Sequence, residues 1–172
     1  METALENLLT RRSVRSYQKK EVPEDLLQKI TKAGEYAPSG MGRQPCVMVV
    51  VRDKELLEKI SQMNQAVMGG EGDPFYGAPA VIIVFADKRS GTYLYDGALT
   101  MGNLLNAAHA VGVDSCWIHR AKEVFETPEG KKLKASWGLD ENYEGIGNCI
   151  LGYREGELPA PAPRKDKFVI WK

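Results

Sequence analysis

Several common functional signatures are missing from this chain of 172 residues. The phosphate-binding patterns GxGxxG and GxxxxGK[ST] are both absent, as is the GxSxG turn of many serine hydrolases. Only two histidines are present, His109 and His119, and neither has carboxylates at metal-ligand spacing. The sequence therefore gives no support to a dinucleotide fold of the usual type, a P-loop enzyme, a serine hydrolase or a metal site.

Charge of one sign and long apolar runs are lacking as well. The 23 Lys and Arg residues balance the 23 Asp and Glu residues, which argues against nucleic-acid binding through a broad basic surface. No run of about 18 apolar residues occurs, and the N-terminus METALENLLTRR carries acids that a signal peptide would not. We therefore expect a cytoplasmic protein that has neither nucleic acid nor a membrane as its partner.

Cysteine is scarce and shows no pattern of its own. The three cysteines, Cys46, Cys116 and Cys149, include no CxxC pair, and their odd number favours a reducing compartment over a disulfide framework. Each could act as a nucleophile, but no base lies near any of them in the sequence. A role as a small buried apolar residue is the simpler interpretation. Because acid–base groups are so few, the composition points to a cofactor that supplies the chemistry.

The length fits one domain over residues 1–172, which ends in an unusual arm over residues 154–172. Prolines at positions 159, 161 and 163 predict a stiff, extended segment, and FVIW at 168–171 follows it. Such a spacer makes it hard for the apolar tip to return to its own core. We therefore expect the tip to dock on a second subunit; the alternative is a fifth strand in the same sheet.

Hydrophobic periodicity predicts helices that alternate with four strands. The strands are expected over residues 47–51, 80–86, 113–118 and 145–153. Helices are expected near the N-terminus with Thr3 and Glu6 as a capping box, from Pro23, after Asp53, over 96–111, and from 127 to about 137. The helix over 96–111 is apolar on nearly every side, which predicts a place in the middle of the protein.

The segment RRSVRSY at 11–17 is purely basic and contains a hydroxyl between its cations. Arg11, Arg12, Ser13 and Arg15 together suit an anion, because charge-assisted hydrogen bonds are the strong ones. The alternative is that the arginines only complement the C-terminal end of the preceding helix.

Five segments, in this order along the chain, resemble the nitroreductase family of FMN-dependent oxidoreductases. They are RRSVRSY at 11–17, APSGMGRQP at 37–45, FYGAPA at 75–80, NLLNAAHAVG at 103–112 followed by SCWI at 115–118, and LGY at 151–153 with PRK at 163–165. The resemblance covers nearly the whole chain. It implies an α+β fold with a mostly antiparallel central sheet flanked by helices, assembled as an intertwined homodimer with FMN at the subunit interface.

The resemblance also implies which residues bind the cofactor. Arg11, Arg12 and Ser13 would hold the FMN phosphate and ribityl chain, and Arg15 would lie near the N1–C2 edge of the flavin. Arg164 and Lys165 would form a second phosphate clamp. The loop with Pro38, Ser39, Gly40, Met41 and Gln44 would approach the flavin from the partner subunit. The ring would lie beside Ser115, Cys116, Trp117 and Ile118. The flavin carries the chemistry, so the resemblance implies no catalytic side chain and no metal.

Two positions depart from the family pattern, since Gly42 stands where Asn is usual and Cys46 where Trp is usual. The chain also lacks the long insertion that covers the pocket in larger members. The expected function is hydride transfer from NADH or NADPH to nitroaromatic, quinone or similar acceptors by a ping-pong mechanism. One alternative is a flavin-binding redox sensor or FMN reservoir without significant turnover. Another is an anion-binding interaction protein without flavin.

Overall fold

A computed structural model describes residues 3–172. The sheet is built from β1 (Cys46–Val51), β2 (Ala80–Asp87), β3 (Asp114–Ile118) and β4 (Tyr143–Gly152). The helices are α1 (Ala4–Thr10), α2 (Glu24–Glu35), α3 (Lys54–Met68), α4 (Tyr93–Ala110), α5 (Ala121–Glu126) and α6 (Pro128–Ser136), and a short 3₁₀ turn covers Gly40–Gly42. All four strands therefore lie within a few residues of the positions that the apolar runs predict.

The strands pair in the order β1-β2-β4-β3, and every neighbouring pair is antiparallel. Together with the flanking helices this confirms the expected α+β fold. The apolar run of β2 is buried from Ala80 to Ala86 because helices cover both faces of the sheet. In the β2–β4 pair the register shifts between Val84 and Phe85, so that Ile146 of β4 is an extra, bulged residue.

Side chains that alternate along β2 enter two different apolar clusters, one on each face of the sheet. Val81, Ile83 and Phe85 belong to the first cluster, which also contains residues of α3 and α5. Ile82 and Val84 belong to the second, which contains residues of α2 and α4. The molecule is thus three layers deep, with α3, α5 and α6 on one side of the sheet and α2 and α4 on the other.

Three helix starts use the side-chain caps that the sequence indicates. Thr3 accepts a hydrogen bond from the Glu6 amide, Asp53 from that of Leu56, and Thr127 from that of Gly130. Helix α5 was not predicted, because its six residues span less than two turns and present no long periodic pattern. Thr127 both ends α5 and caps α6, which brings the two helices together.

Helix α4 is less buried than its composition predicts. Met101, Leu104 and Ala108 pack into the core, but Leu94, Tyr95 and Leu99 are 51%, 74% and 47% exposed. The expectation that this helix lies in the middle of the protein is therefore wrong for a single chain. The leucines of α1 are exposed as well, namely Leu5, Leu8 and Leu9.

The arm after β4 runs away from the sheet. Leu158 packs against the core, whereas every residue from 159 to 172 is exposed, including Phe168 to Trp171 at the apolar tip. The sheet that the structure describes has four strands, so the alternative of a fifth strand at 168–171 is wrong. Within residues 3–172, no helix combines the length and apolar composition needed to cross a membrane.

The contact between α4 and β4 leads to a stability prediction. A Cβ at Gly97 would lie 2.6 Å from Cγ1 of Ile146, whereas a Cβ at Gly102 on the same helix would meet nothing within 4 Å. We expect Gly97→Ala to lower the free energy of unfolding by about 1–3 kcal/mol through overpacking. Gly102→Ala is the control and should stabilise by up to about 1 kcal/mol, since alanine favours helices. Denaturant unfolding measures both, and equal stabilities would contradict the tight contact.

Candidate functional site

The basic segment lies along the edge strand β3. Ser13 forms a parallel bridge with Ser115, and the Val14 amide donates to the Ser115 carbonyl at 3.0 Å. The next residues reach the end of β4, where the Gln18 amide donates to the Tyr153 carbonyl at 2.8 Å. Two segments predicted to bind the cofactor, 11–15 and 115–118, are therefore brought together by backbone pairing.

Buried polar contacts hold this pairing in place. The Tyr17 hydroxyl donates to the Val14 carbonyl at 2.8 Å, and burial, as the largest cause, raises the pKa of Tyr17 far above its ordinary value. The carboxylate of Asp114, which is buried, accepts from the Arg154 amide at 2.9 Å and from its guanidinium at 3.0 Å. The basic segment is consequently held by hydrogen bonds to β3 and to the residues that follow β4.

Helix α1 is tied to the C-terminal half of α4. Asn7 Nδ2 donates to the Asn106 carbonyl at 2.9 Å, and Thr10 Oγ1 lies 2.9 Å from His109 Nε2. His109 therefore has a hydrogen-bond partner and is not a free ligand. Arg12 Nη1 donates to the carbonyls of Leu9 and Arg11 at 2.8 and 2.9 Å, so part of this guanidinium does complement the end of α1.

Other donors of the same cluster are buried without a partner. Within residues 3–172, no acceptor is found for Arg11 Nη1, Arg12 Nε, Ser115 Oγ or Trp117 Nε1. An unsatisfied buried donor costs about 1–3 kcal/mol, which a bound acceptor group removes. Two guanidinium nitrogens suit a phosphate, and the hydroxyl and indole N–H that β3 contributes suit the carbonyl oxygens and ring nitrogens of a flavin. The residues present thus fit FMN.

The loop over residues 38–45 is held by the first turn of α4. Asp96 is buried, and its carboxylate accepts from the Gly40 amide at 2.9 Å and from Thr92 Oγ1 at 2.8 Å. Within the loop the Gln44 amide donates to Ser39 Oγ at 3.0 Å. Met41 and Gln44 have φ of +56° and +50°, a conformation that side chains rarely adopt. The loop is therefore shaped by its anchor, and Met41 is left 88% exposed at its tip.

The structure accounts for one of the two departures from the family pattern. Gly42 has φ of +66°, and Gly and Asn are the residues that most readily adopt this region. Cys46 starts β1 near Thr100 and Asp96, and burial, as the largest cause, raises the pKa of its thiol. Cys116 and Cys149 are buried, and burial also raises the pKa of Cys149 far above its ordinary value. These positions favour apolar packing over a thiolate nucleophile.

Helix α4 keeps two parts of the predicted cofactor site apart. The loop at 38–45 is anchored to Asp96, and α1, which leads into the basic segment, is anchored to His109. The two anchors are thirteen positions apart along the helix, which corresponds to about 20 Å. The third part, Arg164 and Lys165, lies on the exposed arm, and no hydrogen bond or ion pair within residues 3–172 joins it to Arg11 or Arg12.

A cleft of about 480 Å³ at the end of β3 contains residues that sequence reasoning did not assign. Arg15, Trp117 and Ile118 line it together with His119 and Arg120. The position of His119 after a strand suggests a site-lining residue, but the sequence offers no comparable signal for Arg120. Within residues 3–172 no group of His, Cys, Asp or Glu side chains could hold a metal ion.

Comparison with known proteins decides the family. The model of the nitroreductase family matches residues 8–69. An Archaeoglobus fulgidus protein named "Putative NADH dehydrogenase/NAD(P)H nitroreductase" is 34% identical over 163 residues, which cover 91% of this chain and 88% of that protein. The chain belongs to the nitroreductase family.

Solved nitroreductase structures share the whole fold. A nitroreductase with bound FMN from Bacteroides fragilis superimposes with a TM-score of 0.90 at 29% identity, covering 99% of this chain and 98% of that one. Another with bound FMN, from Desulfitobacterium hafniense, gives a TM-score of 0.88 at 27% identity and covers 100% of both chains. This nitroreductase family member therefore shares its architecture with these proteins from end to end.

The anchor of the 38–45 loop can be tested by limited proteolysis. Asp96→Ala leaves the Gly40 amide and the Thr92 hydroxyl without their acceptor, so we expect trypsin to cleave faster after Arg43. The free energy of unfolding should fall by about 1–3 kcal/mol, the usual effect of an orphaned buried group. Asp96→Asn keeps one oxygen for the Gly40 amide and should cleave more slowly than Asp96→Ala. Cleavage of Asp96→Ala at the wild-type rate would show that the carboxylate does not hold the loop.

Proposed function

We propose that this nitroreductase transfers electrons from NADH or NADPH to nitroaromatic, quinone or similar acceptors in a ping-pong cycle, with FMN as its cofactor. The observation that carries the proposal is the set of unpartnered buried donors on Arg11, Arg12, Ser115 and Trp117. FMN is bound in the related structures from B. fragilis and D. hafniense. The A. fulgidus relative has NADH dehydrogenase and NAD(P)H nitroreductase in its name, which supports the choice of donor.

Each part of the site has a separate task. Arg11, Arg12 and Ser13 bind the FMN phosphate and ribityl chain, and Arg15 lies near the N1–C2 edge of the ring, where reduction places negative charge. Ser115, Cys116, Trp117 and Ile118 line the ring. When bound, FMN supplies an acceptor for hydride and a donor for the second substrate. The protein binds, orients and tunes, so no side chain has to act as an acid or base.

We further propose that the working form is a homodimer. Large apolar side chains are exposed on α1, on one side of α4 and at the tip of the arm, a distribution that is typical of an interface. A second copy would also close the gap of about 20 Å along α4, because its 38–45 loop could reach the basic segment of the first copy. In this arrangement Arg164 and Lys165 of the second copy complete the phosphate clamp. The three free cysteines suit a reducing compartment such as the cytoplasm.

Turnover separates an enzyme from a flavin-binding sensor or reservoir. We expect the purified protein to be yellow, to be reduced by NADH or NADPH without oxygen, and to be reoxidised at once by menadione or a nitroaromatic compound. Initial rates at several donor concentrations should give the parallel reciprocal plots of a ping-pong cycle. A protein that is reduced slowly and stays reduced with every acceptor would favour the sensor. A colourless protein that FMN does not restore would exclude both interpretations.

The phosphate clamp can be tested by substitution at either basic cluster. Arg12→Ala and Lys165→Ala should each weaken FMN binding by about ten- to hundred-fold, the effect of losing one charge-assisted hydrogen bond. Both should purify pale and regain activity in excess FMN. Lys19→Ala and Lys172→Ala are exposed lysine controls near each cluster and should keep wild-type affinity. Flavin fluorescence titration measures all four dissociation constants.

Mixing the two clamp variants tests which chain supplies the arm. A dimer with one Arg12→Ala chain and one Lys165→Ala chain has both defects in one site and neither in the other, if each arm serves the opposite chain. Co-expressed mixed dimers should then bind one FMN tightly per dimer. If each arm serves its own chain, both sites keep one defect and no tight site returns.

A further inference from the structure

The cleft at the end of β3 contains two arginines next to residues that are proposed to line the flavin ring. It has a volume of about 480 Å³, and Trp117 and Ile118 form part of its wall. Tyr76 and Met68 add further apolar and aromatic surface, while Arg15 and Arg120 contribute positive charge. The two arginines share the cleft with Glu71 and Asp73, so the role of each depends on the groups that it contacts.

Arg120 is held in a rare conformation by neutral groups. Its φ is +74°, and its Nε donates to Asn64 Oδ1 at 3.0 Å. Its Nη2 lies 3.4 Å from the Met68 sulfur. Asn64 is fully buried, and its Nδ2 donates to the His119 carbonyl at 3.0 Å, which fixes the backbone just before Arg120. The guanidinium is thus oriented from behind without its charge being neutralised.

Two acids, Glu71 and Asp73, also line the cleft, but neither forms an ion pair with Arg120. Asp73 is engaged by its own loop, since its carboxylate accepts from the amides of Phe75 and Gly77 at 2.8 and 2.6 Å and from the Ser61 hydroxyl. Glu71 is exposed, and within residues 3–172 neither it nor Arg15 nor Arg120 takes part in an ion pair. Among the described residues Arg120 therefore lines the cleft without an ion-pair partner, although the formal charges of the lining balance.

We propose that Arg120 is a specificity-determining residue that binds the carboxylate or sulfonate of a planar aromatic acceptor. The ring of this acceptor packs against Trp117 and Tyr76, and the anionic substituent reaches the guanidinium. The inference rests on the proposed function, because the acceptor has to lie next to the flavin to be reduced. It makes anionic nitroaromatics and quinones the preferred class over neutral ones of the same shape.

A matched pair of acceptors tests the proposal. Wild-type, FMN-loaded protein is expected to reduce 4-nitrobenzoate with a kcat/KM about ten- to hundred-fold above that for 4-nitrobenzyl alcohol, the contribution of one charge-assisted hydrogen bond. In Arg120→Met this preference should vanish, because the KM for the acid rises while the KM for the alcohol changes much less. Arg120→Lys should restore part of the preference, and Arg52→Met, an arginine outside the cleft, should leave it intact.

Two equilibrium measurements make the outcome independent of turnover. Calorimetric titration with 4-nitrobenzoate should show binding to wild type and loss of that binding in Arg120→Met, while FMN affinity stays at the wild-type value. Equal affinity of wild type for acid and alcohol, equal loss of both, or weaker FMN binding in Arg120→Met would each overturn the proposal. If the acid binds through Arg120 but no acceptor is reduced, the anion site stands and the proposed oxidoreductase function fails.

Discussion

The pairing of residues 13 and 14 with the outer side of β3 is the constraint on which the candidate site depends. The strand order leaves β3 at an edge, where unpaired amides and carbonyls would otherwise face solvent. Ser13 and Val14 occupy part of that edge, and Tyr17 and Gln18 continue to the end of β4. A segment that protects the sheet edge is thereby the same segment that presents Arg11, Arg12 and Arg15. The positions of these arginines are therefore fixed by the backbone hydrogen bonds that tie the segment to the sheet.

Helix α4 has the opposite effect. It separates the 38–45 loop from the basic segment, although the family-like motifs assign both to one cofactor site. Its first turn carries the buried carboxylate that shapes the 38–45 loop, and its last turns hold α1. A rigid helix of 18 residues cannot bring these two ends near each other. The apolar side chains that α4 leaves exposed and this distance are the two observations that support the proposed homodimer.

Much of the architecture could be predicted from sequence, for identifiable reasons. Continuous β-branched and aliphatic runs located all four strands, and Thr3, Asp53 and Thr127 located three helix starts, because both signals are local. Helix α5 could not be predicted because its six residues are too few to show a helical periodicity. The exposure of Leu94, Tyr95 and Leu99 could not be predicted, because composition does not distinguish a buried apolar helix from one with an exposed apolar side.

In the candidate site, too, residues within short motifs could be predicted, whereas a residue positioned by distant contacts could not. Family-like segments marked the residues at 11–15 and 115–118, and the structure places them side by side. No segment marked Arg120, since its orientation depends on Asn64, more than fifty positions earlier, and on a backbone conformation that no motif encodes. Short sequence motifs do not encode contacts between residues that lie so far apart in the chain.

The position of β2 in the sheet also has a consequence for how the chain reaches its native state. This strand is the most apolar part of the molecule, and its second partner, β4, begins only after residues 88–142. Closing so long a loop slows folding, and until it closes one edge of an aliphatic strand stays open to pairing with other chains. The antiparallel contact with β1 protects only the other edge. Aggregation during synthesis or refolding is therefore expected to begin at residues 80–86, and conditions that speed the docking of β4 should suppress it.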